Sequence, residues 1–130
     1  MQNIDLICVG KLNAPYFAAG VAEYQKRLGA FCNFRIIELP EVQIADKNAS
    51  DKQIAKALQK EGETILASVR KGAYLVALCV EGRQVSSEDL AAMIAERAMS
   101  GAGYMAFVIG SSHGLDDSVK RAAQARISLG

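Results

Sequence analysis

The sequence has no tryptophan, two prolines, one histidine and three cysteines among its 130 residues. Three is an odd count and no C-x-x-C pair occurs, so the cysteines argue for neither a disulfide framework nor a zinc knuckle. Cys8 and Cys79 stand inside apolar runs, where a free cysteine behaves as a small hydrophobe, and a reduced, cytoplasmic setting fits that usage. Neither sign of charge prevails: 15 Lys plus Arg against 14 Asp plus Glu leave a formal net charge of +1. A basic coat for nucleic acid looks different, although a local basic patch fits the same count. Four Tyr and four Phe are too few for a stacking platform. No run approaches the roughly 18 apolar residues that span a bilayer. Residues 1–12 lack a positive start, carry Asp5 inside their apolar stretch and offer no hydrophobic region of adequate length, so no signal peptide and no membrane partner are expected.

What is present suits one soluble domain over residues 1–130: 51% hydrophobic and 22% charged residues, on a chain long enough to bury a core without staples. Residues 3–9 (NIDLICV) read as a strand ending at Gly10, and Pro15 opens a helix whose face carries Phe17, Val21, Tyr24 and Leu28 before Gly29. Residues 33–39 (NFRIIEL) form a second strand closed by Pro40, followed by the longest loop, 41–49. Ser50 and Gln53 have capping-box spacing and start a helix to about Arg70, with Ile54, Leu58, Ile65 and Val69 on its buried stripe. Residues 73–80 (AYLVALCV) are apolar on both faces, the pattern of a parallel strand covered on each side. Ser86 and Asp89 cap the next helix, with Leu90, Met93, Ile94 and the stem of Arg97 on its stripe, and Gly101 and Gly103 end it. Residues 104–109 (YMAFVI) are another two-sided strand; a helix over 116–126 and a strand from 127 follow. This order predicts an α/β fold, a parallel sheet with helices on both faces. Ligands of such sheets lie beyond the carboxyl ends of the strands, which here carry Gly10, Glu81-Gly82 and Gly110.

The loop 109–115 (IGSSHGL) is the most unusual stretch. Its glycines and serines allow a ligand close to main-chain N–H groups, and a flexible turn with a Ser/His capping region explains it equally well. It lacks the G-K-[ST] of a P-loop and the G-x-G-x-x-G of a dinucleotide site, which disfavours an ordinary doubly wound nucleotide-binding protein. His113 could act as a base near neutrality, but a lone loop histidine is more often a surface or capping group. Asp116 and Asp117 sit where a helix first turn favours acids, so they read as capping residues rather than metal ligands, and no metal is expected. Basic residues cluster loosely at Lys11, Lys26-Arg27, Lys47, Lys52, Lys56, Lys60 and Arg70-Lys71. A solvated helix face accounts for the four-residue spacing of Lys52, Lys56 and Lys60, and an RNA-backbone footprint is the sharper alternative.

Several segments, in order, resemble a known family: Val9-Gly10-Lys11-Leu12, Glu23-Tyr24-Gln25-Lys26-Arg27-Leu28, Ser50-Asp51-Lys52, Lys60-Glu61-Gly62, Glu81-Gly82-Arg83 with Ser86-Ser87-Glu88, and Phe107-Val108-Ile109-Gly110 with Gly114-Leu115. Together they resemble the ribosomal large subunit methyltransferase H family, small members of the SPOUT superfamily, over residues 1–130. The resemblance implies an S-adenosylmethionine-dependent enzyme that methylates N3 of a pseudouridine in 23S ribosomal RNA, within the ribosome or large subunit. It also implies a trefoil-knotted α/β fold and an obligate homodimer. The cofactor positions that match are Leu78, Gly110, Leu129 and Gly130; no catalytic side chain is assigned. Two departures stand out. The family usually has a second glycine after the position of Gly110, where this chain has Ser111. The family also continues past the position of Gly130 through a further knot segment and a C-terminal helix, so a C-terminally incomplete domain is expected. The alternative function is a catalytically silent α/β dimerisation or binding module derived by truncation.

Overall fold

The computed structural model describes residues 2–10, 19, 22, 26, 32–44, 50–101, 103–111 and 113–128. Five strands form one sheet: β1 (Gln2–Val9), β2 (Cys32–Leu39), β3 (Tyr74–Gln84), β4 (Tyr104–Ile109) and β5 (Ala125–Ser128). Three helices complete the described elements: α1 (Asp51–Ser68), α2 (Ser87–Met99) and α3 (Asp117–Ala122). The strand order is β2-β1-β4-β3-β5, and every neighbouring pair is parallel.

The two-residue period of the strands sorts side chains between two cores. Ile4, Leu6 and Cys8 of β1, Val76 of β3 and Met105 and Phe107 of β4 face one way, where Leu90, Met93 and Ile94 of α2 cover them. Ile7, Val9, Leu75, Ala77, Ala106 and Val108 face the other way, under Ile65 and Leu66 of α1 and Val119 of α3. Strands buried on both faces need apolar residues at every position, which is why the runs of β3 and β4 do not alternate. The buried polar residues of β1 are Gln2 and Asp5, and of the two the charged one is Asp5. It falls on the α1 side, 4% exposed, directly opposite Arg35 in the register. Arg35 donates through Nε and Nη2 to its two oxygens at 3.1 and 3.0 Å, and Arg70 donates through Nε at 3.2 Å.

Helix starts agree with the sequence reading. Ser50 and Gln53 close a reciprocal capping box on α1, and Ser86 and Asp89 do the same on α2. The helix expected from Pro15 falls on residues of which only Ala19, Ala22 and Lys26 are described, all helical; Phe17, Val21, Tyr24 and Leu28 lie outside the described residues.

Three expectations need correction. The helix expected over 116–126 ends at Ala122, because Gln124 hooks onto β3. Its N–H donates to the Leu75 carbonyl at 2.9 Å while its Oε1 accepts the Leu75 N–H at 2.6 Å, and this turns the chain into β5 from Ala125 rather than 127. β3 continues to Gln84 instead of stopping at 80. Glu81-Gly82 is therefore inside β3, not at its exit. Ile127 pairs first with Leu78 and again with Arg83, so residues 79–82 form an excursion between two paired stretches. A Cβ on Gly82 would stand 2.7 Å from the Ile127 backbone, so only glycine lets the excursion cross β5 this closely.

The strand order places one switch point. From β1 the chain leaves to β2 on one side, whereas from β4 it crosses β3 to reach β5 on the other. The crevice created by diverging connections lies between the carboxyl ends of β1 and β4, at Gly10 and Gly110.

Candidate active site

Gly10 and Gly110 are both pressed by the chain's own backbone. Gly10 has φ +66° and donates its N–H to the Leu39 carbonyl at 2.9 Å; a Cβ there would lie 2.9 Å from Cβ of Glu41. After Gly110 the chain makes a tight turn, with the Gly114 N–H donating to the Ser111 carbonyl at 2.9 Å and Gly114 at φ +90°. A Cβ on Gly110 would overlap the Gly114 carbonyl. Glycine is thus required at 110 by the turn itself, whatever else packs there.

Ser111 does not point out of this loop. It is buried, and its hydroxyl donates to Glu61 Oε1 at 2.8 Å. Glu61, on α1, is only 5% exposed, and its Oε2 accepts the Val42 N–H at 2.9 Å. One carboxylate therefore bonds the loops leaving both β2 and β4. Sequence reasoning missed this residue.

Leu78 is half-buried and pairs with Ile109 on one side and Ile127 on the other, which brings it within one residue of Gly110 along the rim. Two of the four expected cofactor positions are thus neighbours. Leu129 and Gly130 lie outside the described residues. His113 is exposed on the turn. Asp116 is the N-cap of α3, accepting the Ser118 N–H at 3.1 Å, as a capping role requires.

Residues 2–130 match a family described as "Predicted SPOUT methyltransferase". The chain belongs to the SPOUT methyltransferase family. Among its relatives, the ribosomal RNA large subunit methyltransferase H of Bifidobacterium animalis subsp. lactis is 44% identical over 98% of this chain and 80% of its own length. The proteins of that name from Pediococcus pentosaceus and Limosilactobacillus reuteri are 43% and 42% identical, each over 99% of this chain and 80% of the relative.

Around the rim of this SPOUT methyltransferase the charges are not all solvated. Lys52, Lys56 and Lys60 are exposed along α1, as their spacing predicts. Arg70 is not part of a free basic patch: it bonds Asp5 and lies 4.6 Å above the Tyr104 ring. Lys11, Arg27 and Lys47 lie outside the described residues. In the β3 excursion, Glu81 forms an ion pair with Lys120 of α3. The hydrogen bond from Lys120 holds the Glu81 carboxyl below the usual range, and the same bond raises Lys120. Burial, followed by the charge of Glu81, pushes up the Cys79 thiol; burial pushes Cys8 up to about 11, so neither suits thiolate chemistry.

Proposed function

We propose that this chain transfers a methyl group from S-adenosylmethionine to N3 of a pseudouridine in 23S ribosomal RNA. It acts on the base displayed in the ribosome or large subunit, as a cytoplasmic homodimer whose chain is threaded into a trefoil knot. The observation that carries the reading is the placement of Leu78 beside Ile109, one residue before Gly110, at the carboxyl rim of a SPOUT methyltransferase sheet. The names of the relatives supply the substrate class, a large-subunit ribosomal RNA. The close crossing of Gly82 over the Ile127 backbone is compatible with threading of the chain in this region.

The residues present fit the donor. Leu78 and Ile109 are half-buried side by side, an apolar wall where an adenine can lie, and the main chain at Gly110 offers polar groups without a bulky side chain. The loop has none of the phosphate-binding sequence patterns, and this donor carries no phosphate. Leu129 and Gly130 complete the proposed contact set. When bound, S-adenosylmethionine supplies an electrophilic methyl on a positively charged sulfur.

The side chains described here contribute position rather than covalent chemistry. A nearly in-line approach of the base to the methyl group is what a rigid rim provides, and alignment alone accounts for a large part of such a barrier. The N3 proton leaves to water or to a general base. Glu61 is not that base, because its two oxygens are buried and bonded beneath the loops.

Calorimetric titration of the chain with S-adenosylmethionine, followed by transfer of a labelled methyl group to 23S RNA in purified ribosomes, tests the reading. Saturable binding with label at a single pseudouridine N3 is expected. No binding would leave the family fold and point to the silent module instead.

A further inference from the structure

Glu61 joins the loops leaving β2 and β4, on either side of the switch point. Its Oε2 takes the N–H of Val42, next to Glu41, whose Cβ fills the space against Gly10. Its Oε1 takes the hydroxyl of Ser111, next to Gly110. The following residue, Gly62, lets α3 come close, since a Cβ there would lie 3.0 Å from Ser118 Oγ and 3.1 Å from Asp116 Cβ. The exits of β1, β2 and β4 and the start of α3 therefore all meet one turn of α1.

We propose that Glu61 is a positioning residue: with Ser111 it clamps the β4 exit loop to the β2 exit loop, and the clamp sets the affinity of the rim for its methyl donor. The proposal rests on the donor reading above. A buried carboxylate with two satisfied bonds is rigid, because release of either leaves a desolvated group unpaired. Ser111 supplies the hydroxyl for one arm. A disturbance at Ser111 is then felt at Val42, although the two are 69 residues apart in sequence and belong to different loops.

The experiment uses Ser111→Ala, Glu61→Ala and Glu61→Gln, with amide hydrogen exchange at Val42 and Gly114 and calorimetric Kd for S-adenosylmethionine as readouts. Ser111→Ala should speed exchange at Val42 by about three- to tenfold and weaken donor binding by a similar factor, the loss of one buried hydrogen bond. Glu61→Ala should do more at both amides. Glu61→Gln should stay near wild type, because its amide oxygen accepts from Val42 while its N–H donates to the Ser111 hydroxyl, which accepts equally well. Wild-type exchange at Val42 in folded Ser111→Ala would overturn the clamp. Faster exchange with unchanged Kd would overturn its role in positioning. If the wild-type chain takes no S-adenosylmethionine, the donor reading falls, and exchange at Val42 still decides the clamp: its acceleration in Ser111→Ala upholds the coupling and its absence refutes it. Should Glu61→Ala fail to fold, Ser111→Ala carries the same decision.

Discussion

Among the described residues two carboxylates, Asp5 and Glu61, are buried, and they are held in opposite ways. Asp5, within β1, is bonded by Arg35 across the strand pair and by Arg70 after α1. Glu61, at the carboxyl rim, is bonded by a main-chain N–H and a serine hydroxyl. Asp5 is charge-neutralised and joins regular elements, so it fixes register; sliding β2 by one residue would pull Arg35 away and turn every side chain over. Glu61 is bonded by neutral donors and joins loops, so it fixes the shape of a rim. The same chemical group serves the frame in one place and the candidate site in the other.

The sharpest way to break this comparison is Asp5→Ala. It leaves two guanidinium groups without their partner, and because both are half-exposed and can rehydrate, the loss should be about 2–3 kcal/mol of folding stability. Urea denaturation would measure it. Affinity for S-adenosylmethionine should be unchanged in the folded variant; a large loss of affinity would mean that the frame and the rim are one cooperative unit.

Gly110→Ala probes the other side. The added methyl meets the Gly114 carbonyl, so the 111–114 turn must open, at a cost of about 1–3 kcal/mol, with loss of donor binding. Gly103→Ala is the matching change near the amino end of β4, where a Cβ meets no atom within 4 Å, and it should stay within about 0.5 kcal/mol of wild type. Equal effects at the two glycines, read from thermal unfolding and calorimetry, would deny any special tightness at the rim.

Most of the frame was legible because its signals are local. The run 104–109 is a strand with no error, and both serine capping boxes stand where the spacing puts them. Even the Asp5–Arg35 pair had a trace in the letters, since each is the third residue of its expected strand. What could not be read depends on partners far away in sequence. Residues 120–126 are all good helix formers, but Gln124 binds Leu75 and tertiary pairing overrides propensity. The excursion at 79–82 exists only because Ile127 pairs twice. Glu61 did leave a signal: the α1 stripe of Ile54, Leu58, Ile65 and Val69 has a gap, and position 61 falls in it. A charged residue on an apolar stripe asks for a buried partner, but nothing in the sequence says that the partner is Ser111.

The smallest effect belongs to the ion pair that anchors the β3 excursion to α3. Glu81 is half-exposed, so Glu81→Gln should lower the midpoint of thermal unfolding only slightly, and less so in high salt. Its pH dependence carries the information. The Glu81 carboxyl is held below its ordinary range in the folded chain by the bond from Lys120, so its contribution is full above the unfolded value and disappears as pH falls through the folded one. Lys120 is raised by the same bond, so its share is full below its ordinary value and is lost as pH rises through the raised one. The difference in midpoint between wild type and Glu81→Gln should therefore be greatest on a plateau around neutrality and shrink at both extremes. A difference that ignores pH would mean that Glu81 acts by packing alone, and that the excursion, unlike the frame at Asp5, is held without charge.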